Sequence, residues 1–410
     1  MTQTITQQFV NKSFYFLLLF TLIFGVLFYD ALPIGFTDEI CAVLACALYG
    51  FHIYNTPDWS VNKFFLTTIG VFLFYLSYSL FIGVTSRSAV ITDFIIQIKP
   101  YLAFFAIYGI APRLDKGQKT MIKQLCILFS LYLLGIGLTS IVYFDIIEIL
   151  IKHPSRLATA ASILALLYLY CSDYSKRDKL IFVLLLSAGL LSTRSKFFGF
   201  FVICVFVVYY VDNKFRLEFN MKNTLLFLLA FTLLLYVAQD KIYLYFVQGG
   251  FGDGKGEEDL YARMALYYFS LYVFQDYFPL GSGFATYATY ASGETYSPIY
   301  EKYGMAGMHG LTEAKPEFIA DTYYPALAQF GVVGAFLFFA FWIFLTKRSM
   351  SYFIQTNHTK NFTISMLIIA FFLIECTSDA TITHNRGLFM MMLLGLVFSE
   401  IKFKKGVCLR

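Results

Sequence analysis

Arg156, Arg194, Arg263 and Arg386 each sit where an otherwise apolar chain turns back or opens a helix. Their contexts are His153-Pro-Ser-Arg156-Leu-Ala158, Leu191-Ser-Thr-Arg194-Ser-Lys196, Ala262-Arg263-Met-Ala-Leu-Tyr267 and Thr381-Ile-Thr-His-Asn-Arg386. A guanidinium stays protonated and presents a planar fork of donors that matches an oxyanion with paired hydrogen bonds. Held in a tight turn close to a bilayer surface, such a group faces lipid headgroups or a bound anion. Groups able to carry a proton lie in the same stretches: His309, Glu313, Glu317 and Asp321 in one long polar loop, and Asp379 and His384 beside Arg386. Asp379 and His384 either line a cavity with Arg386 or cap helix ends, and Asp321 is equally suited to cap the helix that follows it.

The elements that position these residues are membrane helices. With 59% hydrophobic, 20% aromatic and only 14% charged residues, and a mean hydropathy of +0.67, the 410-residue chain is no soluble domain but an all-α polytopic membrane protein. Apolar runs near spanning length recur at about 13–29, 37–53, 64–83, 91–111, 122–143, 157–172, 178–193, 196–211, 223–239, 323–345, 362–378 and 387–401. That pattern predicts twelve transmembrane helices. The first run ends at Phe28-Tyr29-Asp30 without a small-residue cleavage pattern, which reads as a retained helix.

Placing both termini inside puts nineteen Lys and Arg residues in inner segments and eleven in outer ones, as the positive-inside rule favours. Only five of the inner nineteen are Arg, against five of the outer eleven. Topology needs charge alone, so the outer arginines point to a geometric role. The net charge of +5 reflects the inner loops, and no basic tract argues for nucleic acid. The seven cysteines form no CxxC and no outer pair, which excludes a disulfide framework or structural zinc as the expected device.

One polar stretch, 240–322, divides the chain into transmembrane helices 1–239, a large outer loop and transmembrane helices with an inner tail at 323–410, all within one membrane domain. A loop of that length should carry short helices of its own and a task. Its glycine run at 249–256 lacks GK[ST] and follows no strand, so it is no phosphate loop, and the acidic cluster Asp253, Glu257, Glu258 and Asp259 reads as a solvated turn. Leu260 to Phe278, with apolar residues Met264, Leu266, Tyr267, Leu271 and Phe274, predicts an amphipathic helix, and Pro279-Leu-Gly281-Ser-Gly283 a sharp turn. Twelve tyrosines fall within 240–322. A flat apolar face with a hydroxyl suits sugar rings as well as an interfacial aromatic belt, and Tyr267, Tyr287 and Tyr323 are the candidate glycan contacts.

Read in order, these segments resemble the superfamily of O-antigen ligases and Wzy-type polysaccharide polymerases over roughly residues 150–400. The resemblance rests on a Pro-Asn-x-Leu-Ala-like segment at Pro154–Ala158, the arginine hairpin at 193–195, and Arg263 ahead of the Pro-Leu-Gly-Ser-Gly turn. It is completed by Asp321 ahead of Gly331-Val-Val-Gly334. Ligases of this superfamily typically carry His-Asn where this chain has Ala320-Asp321, which favours the polymerase branch. The resemblance implies a GT-C-like membrane glycosyltransferase of the bacterial inner membrane that acts on its periplasmic face.

In such a polymerase a glycan on undecaprenyl diphosphate is transferred to a sugar hydroxyl of a second lipid-linked unit. The resemblance then implies that Arg194, Arg263, Arg156 and Arg386 hold the diphosphate and stabilise the charge it gains on leaving. Asp321 is the first candidate for the base, His309 the second, with Glu313 and Glu317 behind them. No cofactor or metal is called for, and the absence of a DxD and of an inner catalytic domain argues against a nucleotide-sugar donor. The implied partners are the lipid-linked donor and acceptor, membrane lipids and a chain-length regulator protein. Two other readings remain in view: a ligase that moves finished polymer to a lipid acceptor, and a flippase for lipid-linked oligosaccharides. Against transport, the longest loop lies between helices nine and ten and not at the midpoint.

Overall fold

A computed structural model describes residues 5–29, 36–56, 62–143, 145–210 and 258–408, with four single positions between 221 and 232. The glycine run, Asp253 and Glu257 of the acidic cluster, and most of the run at 223–239 lie outside the described residues, whereas Glu258 and Asp259 of that cluster are helical.

The described chain is helical, without a strand. Its elements are α1 (Ile5–Leu27), α2 (Thr37–Tyr54), α3 (Asn62–Ile82), α4 (Arg87–Ile110), α5 (Lys116–Val142), the short α6 (Ile146–Ile151), α7 (Pro154–Cys171) and α8 (Lys176–Ser187). They continue with α9 (Ser195–Tyr210), α10 (Glu258–Asp276), the short α11 (Tyr290–Glu294) and α12 (Pro298–Lys302), then α13 (Gly331–Thr356), α14 (Thr359–Glu375) and α15 (Asn385–Cys408). Among the described residues six helical stretches are long and apolar enough to cross a membrane: Ile5–Leu27, Lys63–Ile82, Arg87–Ile110, Lys116–Val142, Pro154–Cys171 and Pro325–Thr356. Their burial separates two roles. Only 11% of the apolar window of α3 is buried, against 89% in α7. An apolar helix that turns Leu66, Leu73, Phe74 and Phe81 outward is stable where the solvent is hydrocarbon.

At the centre stand α7 and α15, in which Ile163–Leu167 and Leu388–Leu394 have no exposed surface. The approach of α15 to α4 depends on Gly395, since a Cβ there would sit 2.6 Å from the carbonyl oxygen of Phe104. α4 packs in turn on α2 and α3, α5 on α7, and α14 on α9, α13 and α15. The last seven residues of α1, Thr21–Leu27, wind as a π-helix, which frees backbone carbonyls from the regular ladder. The carbonyl of Gly25 there accepts from the amide of Asn385 at the start of α15. Deep between α2 and α4 the ammonium of Lys99 is paired with Asp38 and, at 2.6 Å, with Glu39. A charge in such a place requires partners of this kind.

Three expectations about element bounds are corrected. The run at 178–193 is not one helix: the α-helix ends at Ser187, and a 3-10 turn over Ala188–Ser192 makes the hairpin to α9 tighter. The helix expected from 323 begins at Gly331, because Tyr323 and Tyr324 donate their backbone N–H groups to the carbonyl of Cys376 and Pro325–Phe330 forms a 3-10 turn. In α10 the predicted apolar stripe divides, with Leu266 buried and Met264 and Leu271 exposed, since the bundle covers only one narrow side of the helix.

The long loop is fastened to the bundle. Gly281 and Gly331, both at positive φ, cross so closely that a Cβ on either would overlap the other's backbone, and the N–H of Gly283 donates to Gln329 at 2.8 Å. Tyr75 and Tyr78 of α3 donate to the carbonyls of Phe330 and Gly281, each at 2.8 Å. Ser79 accepts from the N–H of Phe284 at 2.9 Å, and Asp93 of α4 from that of Ala285 at 2.7 Å.

Candidate functional site

The hairpin between α8 and α9 presents Arg194 directly after Thr193, whose φ of 53° is a left-handed turn that projects the next side chain. Its guanidinium reaches back to the residue that starts α7: Nη2 lies 3.0 Å from Nε2 of His153. Arginine can only donate, so Nε2 accepts and the imidazole proton belongs on Nδ1, which lies 2.6 Å from Oγ of Ser155. His153 is therefore a neutral imidazole. Loss of water around the ring and then the Arg194 charge push its pKa down to about 4. Arg156 follows in the first turn of α7, its N–H donating to the carbonyl of His153 at 3.0 Å.

Two residues beyond Arg194, Lys196 projects from the first turn of α9 to Glu375 at the end of α14, 2.6 Å away, and to Asp379, 3.7 Å away. Burial alone would raise the Asp379 carboxyl. Lys196, His384 and the hydroxyl of Thr381, which donates at 2.7 Å, more than offset that and hold it below its usual range. His384 is exposed to solvent at the start of α15, close to Asp379. Enclosure, with Lys99, Arg156 and Arg386 adding to it, pushes the His384 imidazole below its ordinary value against the pull of Asp379.

From the long loop, α10 delivers Arg263 to Asp321 in a direct ion pair. Arg263 is 28% and Asp321 26% exposed, so a ligand can reach both. The Nε of Arg263 is buried and makes no hydrogen bond among the described residues. Burial lifts Asp321 to about 6, with Asp379 adding to the rise and Arg263 and Lys196 opposing it. Tyr267, one turn along α10, donates its hydroxyl to the carbonyl of Thr377 at 2.8 Å, which closes the group on the side of α14.

The structure thus gathers residues from α7, α9, α10, α14 and the turns before α13 and α15. Arg156, Arg194, Arg263, Arg386 and Asp321 all belong to this group through shared partners or mutual fields. Arg386 is the most enclosed, 5% exposed at the start of α15. The group holds five cations, Arg156, Arg194, Arg263, Arg386 and Lys196, together with the carboxylates Asp321, Glu375 and Asp379. The deeper Lys99 carries its own two carboxylates. Guanidinium and ammonium groups gathered in this way, most of them partly open to water, have the chemistry to bind an oxyanion.

Of the other candidates, His309 is exposed and its ring lies against Phe318, centroids 6.0 Å apart. Glu313 and Glu317 are exposed on the same loop. Two of the three glycan-contact candidates are corrected by burial. Tyr287 has no exposed surface and donates to the carbonyl of Leu266 at 2.6 Å, so its ring is a packing element of the loop. Tyr323, 4% exposed, donates to Gln97 at 3.1 Å and forms the wall of an apolar cavity of about 200 Å³ between α3, α4 and α13. Among the described residues no group of three or more His, Cys, Asp or Glu side chains is arranged to hold a metal ion.

The local sequence does not single out Lys196, Glu375 or the imidazole of His153. Lys196 reads there as one more interfacial cation and His153 as context for Arg156. A lone carboxylate at 375 inside an apolar run is the available signal, because an unpaired charge is costly there. Neither a family model nor a curated protein matches the chain.

Proposed function

We propose that this protein is a membrane glycosyltransferase that polymerises lipid-linked oligosaccharide repeat units. The donor glycan leaves undecaprenyl diphosphate, and a sugar hydroxyl of a second lipid-linked unit attacks its anomeric carbon. The reading includes twelve spans, both termini in the cytoplasm, and a site on the periplasmic face of a bacterial inner membrane, with a chain-length regulator as a further partner. The observation that carries it is one connected group of charges: Arg263 is paired with Asp321, Arg194 with His153, Arg156 and Arg386 act on His384, and Asp379 with Lys196 links these parts.

Each group has a role in this scheme. Arg194 and Arg263, partly accessible, bind the diphosphate with paired hydrogen bonds, and Arg156, Arg386 and Lys196 supply the surrounding positive field. The C–O bond to the diphosphate breaks with its electron pair on the leaving oxygen, where those cations offset the new charge. Asp321, with a pKa of about 6, is ionised at neutral pH and basic enough to accept the proton of the attacking hydroxyl. His153 keeps Arg194 in place by accepting from it.

The test is a deletion strain examined by polysaccharide gel. A polymerase reading requires loss of the ladder while single-unit caps still reach the surface. Accumulation of lipid-linked polymer would instead indicate a ligase, and accumulation of inward-facing single units a flippase. Arg194→Ala and Arg263→Ala variants that restore a full ladder would remove the proposed site.

A further inference from the structure

The guanidinium that the donor diphosphate needs is already taken. Arg263 is bound to Asp321, and among the described residues no other side-chain carboxylate is paired with it. The pair is partly open to water, and one Arg263 donor, Nε, stays buried without an acceptor among those residues, so the internal carboxylate fills the anion seat incompletely. A phosphoryl group has three acceptor oxygens and more charge than a carboxylate, and so fits that fork better. We propose that Asp321 is a built-in counter-ion that occupies the oxyanion seat of Arg263 until the donor diphosphate displaces it, and that this displacement frees Asp321 to serve as the base. The inference rests on the diphosphate reading given above.

The geometry makes the exchange local. Arg263 belongs to α10 in the outer loop, and Asp321 to the turn ahead of α13. The groups that face Asp321 are Arg263 from α10, Lys196 from α9 and Asp379 from the turn between α14 and α15. When a diphosphate takes Arg263, Asp321 keeps Lys196 as its nearby cation and turns to the acceptor hydroxyl. The hydroxyl oxygen then bonds to the anomeric carbon, its proton goes to the Asp321 carboxylate, and the electron pair of the broken C–O bond stays on the diphosphate held by Arg263. Without donor, the base is neutralised by its own arginine, which keeps it from activating water at an empty site.

The exchange is measured by titrating the purified full-length protein in detergent with inorganic pyrophosphate at pH 7.5. A charge-assisted hydrogen bond competes with the ligand, so Asp321→Asn should bind pyrophosphate about tenfold more tightly than the wild type, and Arg263→Ala more weakly. On lowering the pH to 5.5, Asp321 takes up a proton and the gap between wild type and Asp321→Asn should close; the ionisation of pyrophosphate is common to both proteins and cancels. Equal or weaker binding by Asp321→Asn, with the wild type binding pyrophosphate measurably and Arg263→Ala weakened, would overturn the displacement and leave the diphosphate site standing. No binding by the wild type or by Asp321→Asn would overturn both. Melting curves of each variant, recorded with the titrations, report whether the fold is retained.

Discussion

Asp321 holds its proton more tightly in the folded chain than an ordinary carboxyl does, and this has a sign that stability can reveal. A carboxyl whose folded pKa is raised costs stability where it is ionised; the cost is absent below the ordinary carboxylate range, grows as pH rises, and is complete above about 6. Asp321→Asn should therefore melt higher than the wild type at pH 7.5, by roughly 1–3 kcal/mol, and converge with it at pH ~3. A gain of the same size at both pH values would refute the ionisation account. His153 allows a second separation. Its Nδ1–H donates to the hydroxyl of Ser155 at the start of α7 and its Nε2 accepts from Arg194, and an asparagine amide can replace only the first. His153→Ala should lose about 1 kcal/mol, while His153→Asn should melt like the wild type and still lose polymer ladder. Recovery of the ladder by the asparagine variant would reduce His153 to a partner of Ser155. At this scale the sequence made the arginines legible through sidedness, and Asp321 through its place ahead of an apolar run. Burial was not legible: nothing in the local sequence distinguishes Tyr287 and Tyr323, both enclosed, from Tyr268, which is 56% exposed. Nor do the eleven residues between His309 and Asp321 measure the distance between them in space.

The α8–α9 hairpin and the end of α14 form the next level, joined by Lys196 and Glu375, whose side chains are 16% and 5% exposed. Breaking a buried pair on one side strands a charge. Lys196→Met should cost about 3–5 kcal/mol, whereas the double variant Lys196→Met with Glu375→Gln should recover most of it, both read by thermal melting in detergent. A double variant no more stable than Lys196→Met would show that the pair matters for something other than its charge. The elements themselves were legible because hydropathy runs through them: helices occupy eleven of the twelve places where an apolar run predicts one, the twelfth lying mostly outside the described residues. Their ends were harder. Pro325, Gly331 and the carbonyl of Cys376 decide where α13 begins, and the last of these lies about fifty residues further along the chain.

For the whole molecule the apolar surface is the main fact. The windows of α3, α5 and α13 are 11%, 28% and 33% buried, so hydrocarbon must cover what protein does not. If the chain has twelve spans and an outward loop, a cysteine placed at His309 should react with an impermeant thiol reagent on intact cells, and one at Lys347 only after the membrane is opened. The reverse pattern would invert the topology and put the arginine cluster on the wrong side for lipid-linked glycan on the outer leaflet. Composition alone made the apolar helical class legible at this level, because it depends on residue type and not on contacts. What it did not convey is that the long loop is continuous with the bundle: Phe284 packs with Tyr75 and Val90, and the glycines at 281 and 331 interlock only in three dimensions.

The most lipid-exposed helix is also the one that grips the loop. α3 has few protein neighbours along its length, yet Tyr75, Tyr78 and Ser79 near its end hold the backbone of Phe330, Gly281 and Phe284. Such a helix tilts to match the thickness of the hydrocarbon around it. α3 is then a lever with its long arm in the lipid and its short arm on the strap that runs between Arg263 and Asp321. Turnover in reconstituted vesicles should accordingly vary with acyl-chain length, and Tyr78→Phe should flatten that dependence; a profile unchanged by the substitution would mean the lever is not engaged.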